Sequence, residues 1–359
     1  MSDTQRLPME IILHIIGSII DNPRAIYSRS DDVTKTLLSF TRVCQATYAH
    51  ASDHLRRQCM LIEDERQLCD CITYLKATSH RVPEYGAVKT DADNIPVSQS
   101  GVRLCPITSL CLTLTERRDG QSNYLRTMGR ITELLTLVRP NLTRLILDIS
   151  LEVYSPDFGE LRLSWSPEVI NASFRSYVEA FSSLKDLEEV VNLRDTTFFP
   201  SLETSRGEGG PVWIFWPNLR RFALLDAETD VWFWQDMRRA ERLELLILGR
   251  AFWKTRNCFK TSYLEPGPST TEATRPHTSL KVVLAASPQD QPRNNSGRCL
   301  LWGSSEWPAV DPDNLIMVSL HDLPPPAFEA RSPRSETHEH MRTAALRDEI
   351  WDWQGEIVS

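Results

Sequence analysis

From about residue 104 onward one phrase recurs: an apolar residue, two spacers, an apolar residue, one spacer, and a third apolar residue. Ile107-Leu110-Leu112 carries it, as do Leu142-Leu145-Leu147, Leu219-Phe222-Leu224 and Leu243-Leu246-Leu248. Leu315-Val318-Leu320 is a looser copy, Leu280 to Leu284 a weaker one, and Leu184-Leu187 running on to Val191 and Leu193 a degenerate one. The last two apolar positions lie two residues apart, so a short strand points both toward one side. Helices are expected between these strands. Leu125, Met128, Ile131, Leu134, Leu135 and Val138 recur at three- and four-residue intervals over Tyr124–Val138, and Val169, Ile170, Phe174, Tyr177, Val178 and Phe181 do so over Pro167–Phe181. Strand–helix–strand order implies right-handed crossovers and a parallel sheet, hence an α/β fold.

The phrase resembles the strand signature of leucine-rich repeats. Pro140-Asn141 and Pro217-Asn218 look like the words that close a loop before such a strand. The period is irregular, from about 24 residues to well over 35, and no asparagine ladder follows the strands. The resemblance is therefore to degenerate repeats, with a generic α/β domain of buried strands as the alternative.

The N-terminal stretch has a different grammar. Pro8 fits a first helical position, and Glu10 then falls where a carboxylate meets the positive end of the helix dipole. Ile11, Ile12, Ile15, Ile16, Ile19 and Ile20 form an apolar stripe too wide for an isolated surface helix. It needs cover on more than one side, from its own domain and from a partner. Asp31, Asp32 and Thr34 offer caps for a second helix. Leu37, Phe40, Val43, Cys44 and Tyr48 line one face of it at helical spacing, and Leu38 flanks them.

Leu7-Pro8-x-Glu10-Ile11, then Ile15-Ile16, Leu37-Leu38 and Val43-Cys44, resembles the F-box motif. Leu55-Arg56-Arg57, running on to Ile62, Leu68 and a helix through Leu75, resembles the segment that follows it in F-box proteins of fungal type; the resemblance covers roughly residues 5 to 75. Two departures stand out: Asp21 to Lys35 lengthens a usually short connection, and Tyr48 stands where many members carry Trp. The resemblance implies docking on the Skp adaptor of a cullin-based ubiquitin ligase. The residues it assigns to that surface are Leu7, Pro8, Glu10, Ile11, Ile15, Ile16, Leu37, Leu38, Val43, Cys44 and Tyr48.

Four regions follow: a helical F-box-like domain over residues 1–80, a Pro-, Asp- and Ser-containing linker over 81–103, an irregular repeat-like α/β region over 104–326, and a C-terminal linker and helix over 327–359. Loops poor in apolar residues are expected at Ser201–Pro211, Asn257–His277 and Ser287–Gly297, the last two as poorly ordered insertions. Ser335 to about Gln354 reads as a terminal helix that caps the array or folds back on it.

The net charge of −8 and the lack of a basic run argue against nucleic acid as a partner. No apolar run of about 18 residues suggests a membrane span, and no secretory signal precedes the motif, so the cytoplasm or nucleus is expected. The eight cysteines are scattered without Cys-x-x-Cys spacing and read as reduced thiols. No nucleophile elbow, phosphate-binding loop or metal-ligand spacing occurs, so no catalytic residue, cofactor or metal is expected. His338 and His340 read as a solvated pair, Glu188 and Glu189 as a pair pointing apart, and Arg220-Arg221 and Arg238-Arg239 as solvated edges.

Trp213, Phe215, Trp216, Trp232, Phe233, Trp234, Phe252 and Trp253 crowd into about forty residues and are read mostly as core. Trp232 and Trp234 are the candidates for contact with a target protein if either is exposed on the concave side of the array. The expectation is a substrate-recognition subunit that promotes ubiquitination by holding its target near a loaded enzyme. A scaffold that binds the adaptor outside the ligase, or an enzyme built on the C-terminal region, are the alternatives.

Overall fold

The computed structural model describes residues 7–79, 107–114, 122–149, 167–194, 211–253, 258–264, 279–286, 304–324 and 333–358. The linker expected at 81–103, the loop expected at 201–211 except for Pro211, and the loop expected at 287–297 lie outside these residues.

The chain is α/β, built on a nine-stranded, mostly parallel sheet. Its strands are β1 (Leu61–Ile62), β2 (Ser109–Leu112), β3 (Arg144–Leu147), β4 (Glu189–Asn192), β5 (Arg221–Leu225), β7 (Leu245–Gly249), β9 (Leu280–Ala286), β10 (Ile316–Asp322) and β11 (Glu356–Val358). They lie side by side in chain order; only β11 runs antiparallel, against β10. A small parallel pair, β6 (Glu228–Thr229) and β8 (Phe252–Trp253), stands apart. The recurring apolar phrase thus places β2, β3, β5, β7 and β10 where periodicity predicts strands.

The register explains the phrase. Leu110 pairs with Leu145 and Leu112 with Leu147, and Leu145 with Val190 and Val190 with Phe222 farther along. These residues share one face with Leu246, Val282 and Val318, where they form a continuous core. Five helices pack there: α4 (Glu65–Ser79), α5 (Ser122–Val138), α6 (Pro167–Ser182), α7 (Val231–Arg238) and α8 (Phe259–Leu264), followed by the short α9 (Trp307–Val310). Leu134, Leu135, Phe181 and Trp234 are fully or almost fully enclosed within this core. α8 is a correction: buried Phe259 and Tyr263 hold residues 258–264 inside the stretch expected to be a poorly ordered insertion.

The intervening residues form a second row. Cys111, Ile146, Val191, Ala223, Ile247 and Val283 are paired one to the next across six strands. All six are buried on the other face, under the C-terminal segment. There α10 (Pro333–Leu346) is followed by a 3-10 turn at Glu349–Asp352, in place of one helix reaching Gln354. Met341, Ala344, Ala345, Ile350, Trp351 and Trp353 supply its cover, so the segment folds back on the sheet. A methyl group on Gly355 would collide with the Leu320 carbonyl, so that close approach needs glycine, while one on Gly249 would press on the Met341 side chain.

Three helices precede the sheet: α1 (Met9–Ser18), α2 (Asp32–Phe40) and α3 (Gln45–Gln58). They enclose Ile16, Leu37 and Ala51, with Ile12, Leu13, Ile20, Phe40 and Leu55 partly buried around them. The boundary expected at residue 80 is corrected: β1 pairs with β2, and Ile62, Leu68 and Ile72 belong to the main core. The sheet therefore begins inside the region read as a separate helical domain.

Candidate protein-binding surface

The α1–α3 module is shaped by its caps. Pro8 sits just before the helix, one position earlier than expected, and its carbonyl accepts from Ile11 N at 3.1 Å. The single helix expected from the Asp31 caps through Tyr48 breaks at Thr41–Cys44. Cys44 becomes an N-cap in extended conformation and closes a capping box with Thr47, whose hydroxyl accepts from Cys44 N at 3.1 Å. Bonding to Thr47 also holds the exposed Cys44 thiol below its ordinary pKa.

That break redistributes the apolar residues. Leu7, Met9, Ile11, Ile15, Leu38, Val43 and Tyr48 are exposed; Leu7 is 61% and Val43 62% accessible. Eleven large apolar side chains are exposed among the described residues, and seven of them fall between residues 7 and 48. Pro8, Glu10 and Cys44 are exposed as well. Of the residues assigned to the adaptor surface, Ile16 and Leu37 are the corrections. Both are fully buried, because they are the inward side of the same amphipathic stripes and fill the module's own core. Met9, absent from that assignment, joins the exposed set.

The two tryptophans divide differently. They lie on α7, not on a strand, and two helical residues point about 200° apart. Trp234 is enclosed and packs on Phe259 with ring centroids 4.6 Å apart; as a contact candidate it is corrected. Trp232 is 62% exposed, carried on α7, which packs on the helix side of the sheet. Close by on α7, burial pushes the Asp236 carboxyl up to about 6.

The long connection between α1 and α2 forms a brace. Ile26 N donates to Leu346 O at 2.7 Å, Asn22 Nδ2 to Arg347 O at 2.7 Å, and Tyr27 N to Gln58 O at 2.6 Å. Arg24 bonds Glu189 on β4 and reaches Asp348 at 2.9 Å. Arg144 on β3 donates to the carbonyls of Arg24 and Ala345. It also stands 3.2 Å from Asp348 and 3.7 Å from Glu189, and Arg221 joins Glu189 at 3.2 Å. Burial is the largest influence on both Arg144 and Asp348; it lowers the pKa of the first and raises that of the second, each toward its neutral form.

A second ionic cluster lies at the other end of the strands. Asp148 Oδ1 accepts from His338 Nε2 and Arg194 Nε, both at 2.7 Å, and Arg342 Nε stands 3.2 Å from Oδ2. Burial alone would raise the Asp148 pKa, but the bond and charge of His338 and the charge of Arg194 leave it lowered. Trp353 stacks on His321 at 4.5 Å and beside His340 at 6.1 Å. The His338/His340 pair is therefore engaged, not solvated, and Arg221, read as a solvated edge, instead joins Glu189 in an ion network.

Among the described residues, no three His, Cys, Asp or Glu side chains are grouped to hold a metal, and the six described cysteines are free thiols. The buried Lys260–Asp311 pair at 3.0 Å is structural, since Asp311 also accepts from Leu315 N and Ile316 N. No described helix is long and apolar enough to cross a membrane. No family model, curated protein or solved structure matches this chain.

Proposed function

We propose that this chain is an F-box adaptor of an intracellular ubiquitin ligase. In this reading α1–α3 dock on a Skp adaptor and, through it, a cullin, while the sheet is an irregular leucine-rich-repeat-like array that receives a protein target. The observation that carries it is the exposure of seven large apolar side chains within residues 7–48, on helices whose remaining apolar residues already fill a core of their own. Such a concentration marks a protein-interaction site on a folded surface. Strand addition in chain order, with Leu-x-Leu pairs on the helix side, supports the repeat-like reading of the sheet. The protein does no chemistry; proximity raises the rate of ubiquitin transfer.

Affinity purification of the full chain with mass spectrometry tests it. Adaptor and cullin are expected together, and Leu7→Ala with Pro8→Ala should remove both while the sheet stays folded. Retention of the adaptor by that double variant counts against the assignment. Adaptor without cullin points to a scaffold outside the ligase.

A further inference from the structure

We propose that His50 and His54 on α3 form a binding site for a borderline divalent metal ion of the zinc, copper and nickel class. The ion bridges one turn of the helix and keeps its remaining positions open. The site stands whether or not the module docks an adaptor.

Three observations carry it. The first is spacing. Residues four apart on a helix share a face, with Cβ atoms about 5–6 Å apart, and two histidines so placed are a recurrent zinc-binding pair. α3 runs from Gln45 to Gln58, so both histidines lie inside it. The second is distance. The imidazole ring centres are 4.9 Å apart and the ring planes meet at 88°. Two nitrogens bound to one ion at about 2.0–2.1 Å lie roughly 3 Å from each other. Rings at the observed separation reach that by turning about χ2, with the backbone unmoved. Both residues are half-buried, so solvent can deliver the ion.

The third is the tautomer. His54 Nδ1 and Gln58 Oε1 are both buried without a hydrogen bond. Gln58 lies one turn further along α3, and its side chain interacts with His54. Its Nε2 already donates to the Pro23 carbonyl at 3.0 Å. A proton on His54 Nδ1, donated to Oε1, satisfies both buried atoms. That leaves the lone pair on Nε2, the nitrogen a metal takes when a neighbouring oxygen holds the other ring N–H. Gln58 is thus a positioning residue: it sets which nitrogen His54 offers.

The same turn defines the ligand. Asp53, three residues after His50, is held by Arg57 at 3.0 Å, and no third His, Cys, Asp or Glu joins the pair among the described residues. The chain therefore supplies two imidazoles, and water or a side chain from outside fills the other positions. Imidazole without a carboxylate cage selects zinc, copper or nickel over magnesium and calcium.

Cu2+ is the probe, because its unpaired electron registers each bound nitrogen. The chelator-treated full chain is titrated with Cu2+ and read by electron paramagnetic resonance, beside His50→Gln and His54→Gln. The unaltered chain is expected to show a site with two imidazole nitrogens. Each variant should lose that signal and bind Cu2+ about tenfold more weakly or worse. A two-nitrogen signal that survives both substitutions, or none in the unaltered chain, overturns the proposal. Should a variant not fold, nuclear magnetic resonance of the unaltered chain decides it. The ring-nitrogen shifts of His54 are expected to report Nδ1–H before metal is added, and Zn2+ should move the Nε2 signals of His50 and His54 with one midpoint. Zinc shifts that spare either histidine overturn the site. Gln58→Met should release the His54 tautomer in the same spectra, and an unchanged tautomer overturns the role given to Gln58.

Discussion

Arg144→Met is the sharpest test of how the three parts of the chain are joined. The guanidinium is enclosed between β4, the α1–α2 connection and the C-terminal segment, and it touches all three. Its loss removes two charge-assisted bonds to carbonyls, each worth about 1.5–3 kcal/mol. The carboxylates are not stranded, because Glu189 keeps Arg24 and Arg221, and Asp348 keeps Arg24. Methionine also escapes the penalty of burying a charge, several kcal/mol per ion. The balance is a loss of about 2–4 kcal/mol. Urea unfolding followed by far-UV circular dichroism and by tryptophan fluorescence measures it, and native-state hydrogen exchange places it. The largest increases in exchange are expected at residues 22–26 and 345–348. Arg144→Lys should fall between wild type and Met, since it restores charge without the planar fork. A loss below about 1 kcal/mol, or exchange rising evenly over the sheet, would refute the idea that this side chain ties the segments together.

Other outcomes follow from the same geometry. Leu7→Ala with Val43→Ala removes apolar area of which about three-fifths is accessible, so it should weaken adaptor binding by about 2–4 kcal/mol and leave the melting temperature within about 1 °C. Leu37→Ala, at a fully buried site, should instead cost about 2–5 kcal/mol of stability in a thermal melt. Asp148 has a folded-state pKa below its unfolded one, so its contribution is present above about pH 4 and lost as pH falls through the lower folded value. Exchange of residues 338–342 should therefore quicken below about pH 4, and Asp148→Asn should abolish that acid step. Asp236 is opposite in sign: raised to about 6, it favours the fold below about pH 4 and that benefit is gone above pH 6. Asp236→Asn should raise the melting temperature by roughly 1–3 °C at pH 7.5 and leave it unchanged at pH 4.

The strands and long helices were legible because their signal is local. Leu142-Leu145-Leu147 and Leu243-Leu246-Leu248 needed only period-two spacing, and α5 and α6 only a period near 3.6. β1 and β11, with two and three residues, are too short to show any period. Their partners lie nearly fifty residues on for β1 and in a reversed edge pairing for β11. The break between α2 and α3 was masked because Val43, Cys44 and Tyr48 continue the helical spacing through it, and the deciding signal was Thr47, three residues beyond the new cap. Trp232 and Trp234 would share one face of a strand but sit half a turn apart on a helix, and spacing alone does not choose between the two. In the observed α7 they part, one to water and one to the core.

The covering of the sheet's second face is where sequence reasoning stopped one step short. Leu110-Cys111-Leu112, Leu145-Ile146-Leu147 and Leu246-Ile247-Leu248 are unbroken apolar runs, and a strand wet on one side alternates instead. Those runs require two covers. The helices between strands supply one, and what supplies the other depends on ion pairs over 150 residues apart or more: Arg24 with Glu189, Asp148 with Arg342. No local pattern encodes such pairs, although the lengthened connection before α2 was their trace. A connection that only joined two helices could be short. This one carries Asn22, Arg24 and Ile26 to the carbonyls and carboxylate of residues 346–348, so the module bearing the exposed apolar side chains is fixed against the very segment that fills the opposite face. Shortening the connection to a few residues should therefore free that segment while sparing α1–α3. Faster exchange at 341–353 with unaltered adaptor binding is the result expected, and protection unchanged from the full chain would show that the brace holds nothing in place.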